Sequence, residues 1–105
     1  MADTEELIAK RKKAYVFIVE NAKTKVLLPN INSDGALAKA LCRPEEQREA
    51  GIYVEKEIEF MYANLVALKE GTDNPSSRLI EGVRSFFGPT IPDFEIDSHL
   101  VDPFK

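Results

Sequence analysis

The one histidine of the chain, His99, stands in the stretch "DSHLVD", next to Ser98 and between Asp97 and Asp102. A hydroxyl, an imidazole and carboxylates are the parts of a nucleophile–base relay. That relay works only where the base lies within hydrogen-bond reach of the nucleophile and is itself oriented by a third group. Adjacency in sequence supplies none of this, so His99 reads as an ordinary histidine near the chain end, able to make a pH-sensitive contact where acids pack around it. Tyr15, Tyr53 and Tyr62 would join it only in a pocket assembled by folding.

Cys42 is the single cysteine, which rules out an intrachain disulfide and a multi-cysteine zinc site within one chain. It falls beside Leu41 on the apolar side of a short helical stretch, and it reads as a buried structural thiol. Glu55 and Glu59 are four apart on an expected helix and share a face with no Glu-x-x-His partner, so with Glu57 they read as a solvated face and not as metal ligands. The run Lys10, Arg11, Lys12, Lys13 could contact phosphates. On a helix, however, consecutive residues point in different directions, and no helix-turn-helix or RNA-binding signature accompanies them. No phosphate-binding glycine loop, dinucleotide fingerprint or nucleophile elbow occurs. These residues call for no cofactor.

Charge divides the chain. Its formal net charge is −4, but residues 1–28 hold six bases and four acids (+2), leaving −6 for residues 29–105. The acidic majority disfavours broad contact with nucleic acid or anionic lipid, with the basic run as the exception. A length of 105 residues, 44% hydrophobic and 30% charged, suits one domain with one core. The longest apolar run, "AYVFIV" at 14–19, is far short of the ~20 residues a membrane span needs. The acidic start lacks the positive charge of a secretory signal, and a cytoplasmic setting without membrane contact is expected.

The elements that must position these groups are mostly helical. Pro44 at a first helical position, followed by Val54, Ile58, Met61, Tyr62, Leu65 and Leu68 at steps of three and four and then Gly71, predicts a helix over 44–70. Tyr53, Phe60 and Ala67 form a second stripe, which predicts that this helix is covered on more than one side. Asn74 as cap, Pro75 in the first turn and Gly88-Pro89 as stop predict a helix over 75–87, with Gly82 inside it either for close packing or merely tolerated. A short helix is expected over 34–42. Residues 4–27 read as one helix capped by Asp3 or Thr4. The alternative is an α+β arrangement with a hairpin at 14–28, favoured by β-branched content but lacking a turn dipeptide.

The expected fold is therefore mainly α. Residues 1–87 form a small four-helix, bundle-like domain, with the 4–27 and 44–70 helices antiparallel, and residues 88–105 form an extended, proline-containing arm. The arm's large apolar residues, Ile91, Phe94, Ile96, Leu100, Val101 and Phe104, need a surface to lie on, in this chain or in another. The expected function is that of a non-enzymatic interaction or accessory protein, a homo-oligomer or small subunit whose C-terminal arm contributes to assembly through those six residues. Its partner would be a protein, the same chain or another. A nucleic-acid-associated regulator using Lys10, Arg11, Lys12 and Lys13 is the alternative, unsupported by net charge, and a small enzyme is a third reading.

Overall fold

The computed structural model describes residues 4–24, 34–42 and 52–105, apart from the side chains of 52–55 and 89. Among these residues there are five α-helices and no strand: α1 (Glu5–Thr24), α2 (Asp34–Leu41), α3 (Ile52–Glu70), α4 (Ser77–Phe87) and α5 (Asp93–Leu100). The Cα radius of gyration is 13.4 Å, near the ~13 Å expected of a compact domain this long.

"AYVFIV" is helical, so the hairpin alternative fails over 14–24; its second strand, and the end of the expected 4–27 helix, lie outside the described residues. The reason is periodicity. Arg11, Ala14, Ile18 and Ala22 recur at steps of three and four and are all buried, with Phe17 beside them. Tertiary burial of a helical stripe outweighs the modest β preference of Val and Ile. Thr4 caps the helix as expected, its Oγ1 accepting the Leu7 amide at 3.1 Å.

In α3, Met61, Leu65 and Leu68 are fully buried, and the helix packs on α1, α2 and α4. Cover over the second stripe is incomplete, since Phe60 is about half exposed, and Tyr62, expected on the first stripe, is about half exposed as well. The expected residues 44–51 of this helix lie outside the described residues. Gly71 ends it as expected. The Thr72 amide bonds the Ala67 carbonyl (2.8 Å) and the Gly71 amide that of Leu68 (3.1 Å), a Schellman pair that needs the left-handed φ of +78° Gly71 adopts. A Cβ there would also fall 2.5 Å from Ile8 Cγ2, so the start of α1 meets the end of α3, as an antiparallel pair requires at that end.

Helix α4 begins two residues later than the proline suggested. Ser76, not Asn74, is the cap, its Oγ accepting the Leu79 amide at 3.1 Å. Asn74 is engaged elsewhere, its side chain accepting from Arg11 and its carbonyl from Asn64. Gly82 serves close packing: an added Cβ would lie 2.7 Å from the Leu41 carbonyl oxygen and 2.4 Å from the Met61 methyl.

The largest departure is the C-terminus. Residues 88–105 are not an extended arm. They form a 3₁₀ turn (Gly88–Thr90), α5, and a second 3₁₀ turn (Asp102–Phe104). The three prolines that argued against helix each stand at the start of an element: Pro89 and Pro103 in the first positions of the 3₁₀ turns, Pro92 just before α5. There the missing amide costs nothing and the fixed φ suits entry to a helix. Asp93 and Glu95 then complement the positive end of α5. Ile91, Ile96 and Leu100 are buried in the same core cluster as Ile18, Leu65 and Phe87. Arg84 Nη2 of α4 bonds Asp97 Oδ1 at 2.5 Å, tying α5 sideways, and that bond holds the guanidinium in its charged form.

Candidate functional site

The basic run divides once α1 is packed. Arg11 turns inward and is 5% exposed. Its Nε donates to Asn74 Oδ1 at 2.8 Å and its Nη1 to the Gly71 carbonyl at 2.9 Å. A planar fork that satisfies two acceptors across one loop is what guanidinium does and an ammonium cannot. Asn64, also buried, completes the clasp on that loop, its Oδ1 accepting the Ser76 amide at 2.9 Å. Lys10 pairs with Glu6 one turn back at 3.5 Å. Lys12 and Lys13 alone of the four are exposed.

These two lysines border an open groove of about 420 Å³ between α1 and α5, completed by Val16, Phe17 and His99. The His99 ring stacks on Phe17, centroids 4.0 Å apart and planes 11° from parallel. Nδ1 of His99 lies 3.0 Å from the Glu95 carbonyl oxygen. A carbonyl only accepts, so Nδ1 carries a proton there, and in the neutral ring Nε2 keeps the lone pair. Val16, 53% exposed, adds an aliphatic wall.

A Ser98–His99 relay is not what this geometry makes. Ser98 Oγ is 3.2 Å from His99 Nδ1, but Nδ1 already donates to Glu95, and Ser98 donates to the same carbonyl at 2.7 Å. Asp97 faces the other way, to Arg84, and Asp102 pairs with Lys105 at 3.3 Å. Tyr15 is held elsewhere. Its hydroxyl donates to Asp34 Oδ1, which Lys69 also approaches at 3.6 Å, so the cluster joins α1, α2 and α3. Burial first, then the Asp34 carboxylate, push the Tyr15 hydroxyl up to about 12, which stabilises the phenol and opposes a role as base. Tyr62 is half exposed; the side chain of Tyr53 lies outside the described residues. Cys42 is buried, its Sγ 3.5 Å from the Ala38 carbonyl. Glu57 pairs with Arg78 at 2.6 Å, Glu55 has no described side chain, and no group of residues that could hold a metal ion occurs among the described residues.

Of the six apolar residues in the C-terminal segment, Ile91, Ile96 and Leu100 lie in the chain's own core, and Phe104 packs partly against it. Val101 is partly buried, whereas Phe94 is 77% exposed. Phe94 stands between Asp93, which is exposed, and Glu95, which is half-buried. Val16 and Phe17 were not singled out in the sequence, although Lys12–Val16 and Lys13–Phe17 are both i,i+4 pairs, and that repeat of base and apolar residue on neighbouring lines was a readable sign of an amphipathic surface.

Searches of protein-family models, curated proteins and solved structures find nothing that matches this chain. No helix among the described residues is long and apolar enough to cross a membrane.

Proposed function

We propose that the chain is a non-enzymatic interaction protein, acting in the cytoplasm as a small subunit or homo-oligomer, with the α1–α5 face as its docking surface. The observation that carries this reading is the basic-and-apolar groove itself. Two exposed ammonium groups, an exposed valine and a stacked Phe–His pair lie together on one face, which offers a partner both apolar contact and positive charge. The C-terminal segment contributes to this face through α5, while its buried residues hold α5 in place.

The reading as a nucleic-acid regulator draws less support. Arg11 is buried and Lys10 is paired with Glu6, which leaves two exposed lysines in this part of α1, and affinity and its salt dependence both fall with the number of phosphates a protein neutralises. The test is the native mass of the chain in an extract of its own cells, compared with that of the double variant Lys12→Glu/Lys13→Glu. An interaction protein migrates well above the mass of one chain, and the variant shifts towards it. Migration of both at the mass of one chain sinks the reading.

A further inference from the structure

Phe94 and the groove are complementary in kind. One is an aromatic ring, 77% exposed, flanked by the carboxylates of Asp93 and Glu95. The other is an aromatic shelf of Phe17 and His99 with Val16 beside it, bordered by the ammonium groups of Lys12 and Lys13. Exposed aromatic anchors seated in apolar hollows, with opposite charges at the rim, are the recurrent core of protein interfaces.

We propose that the groove receives the Phe94 knob of a second copy of this chain, so that two chains exchange knobs across a twofold axis. The inference rests on the interaction reading above and names the partner. Charge complementarity argues for it. Asp93, exposed, and Glu95, half-buried, flank Phe94, and Lys12 and Lys13 border the groove, so a second copy approaching with Phe94 first brings carboxylates to ammonium groups. Reciprocal docking closes the assembly at two chains, whereas one-way docking would leave it open-ended.

The test uses the purified full chain in sedimentation velocity from about 1 µM to about 1 mM, the range where a small interface with one aromatic anchor is expected to associate. Wild type should pass from one chain to two. Phe94→Ser, a change at an exposed position that leaves the core untouched, should stay at one chain throughout, and so should Lys12→Glu/Lys13→Glu. Mixing these two variants should restore a weaker dimer, because the first keeps an intact groove and the second an intact knob. The proposal is overturned if wild type stays at one chain's mass, if Phe94→Ser associates like wild type, if the mixture shows no dimer, or if wild type grows beyond two chains. A purified chain that stays single while the cellular assembly remains large and sensitive to Lys12→Glu/Lys13→Glu removes the second copy as occupant and leaves the interaction reading standing.

Discussion

Tyr15 and Arg11 are polar residues on the same helix, turned towards its packed side, and each joins elements that are distant in sequence. The Tyr15 hydroxyl donates to Asp34, and its pKa, pushed up to about 12 by burial and by that carboxylate, makes a testable statement about pH. A group whose folded pKa exceeds its unfolded value contributes stability that is whole below the unfolded pKa, ~10 for tyrosine, and is lost as pH rises through the folded one. Tyr15→Phe should therefore cost about 1.5–3 kcal/mol at neutral pH, as loss of a hydrogen bond to a charged partner does. The gap between wild type and variant should close between pH 10 and 12. Urea unfolding of both proteins across that range measures it, and a gap that does not narrow contradicts the assignment. Arg11 shows how a residue type misleads at this scale: a base in a basic run suggests a ligand, but its burial against Gly71 and Asn74 makes it a clasp for the α3–α4 loop.

At the scale of elements, α4 crosses α2 and α3 where it carries no side chain. Gly82 costs α4 about 1 kcal/mol of helix propensity against alanine, so an exposed glycine there would be improved by Gly82→Ala. Here the added methyl would meet the Leu41 carbonyl oxygen at 2.7 Å, and backbone cannot swing aside as the Met61 methyl can. Overpacking of this kind costs about 1–3 kcal/mol. Gly82→Ala should lower the thermal midpoint measured by circular dichroism; a raised midpoint would show that α2 can retreat. The glycine was visible in the sequence, whereas the reason for it was not, because its neighbours are 21 and 41 residues away.

For the whole molecule, the C-terminal residues are part of one core and not an appendage to it. Ile91, Ile96 and Leu100 are each 1% exposed or less, and large-to-small changes at such sites cost about 2–5 kcal/mol. Leu100→Ala should thus destabilise the entire domain, and removal of residues 90–105 should abolish cooperative unfolding. The amides of α5 should exchange with solvent through the same global opening as those of α3. Measurement by hydrogen exchange with mass spectrometry decides this, and early, independent exchange of α5 would mean a separately opening unit. Assembly must therefore be probed by exposed residues such as Phe94, since truncation would remove the fold together with the surface.

The helices α3 and α4 were legible from apolar stripes at steps of three and four and from stops at Gly71 and Gly88, and α2 from its short apolar repeat, because burial of one helix face needs only local periodicity; in α1 the same periodicity competed with the β-branched content of "AYVFIV", and tertiary burial decided between them. The same reasoning missed α5. Its apolar repeat, Ile96 and Leu100, spans a single turn, and the prolines around it were read as breakers when they stand where helices begin. The sequence by itself determined that this chain is mainly helical, with residues 14–28 open between helix and hairpin, and that its charge divides into a basic start and an acidic remainder. Only the tertiary structure decided which members of the basic run face outward and which apolar residues of the C-terminus stay in water. Packing one helix on another selects a face, and the identity of that face depends on partners dozens of residues away.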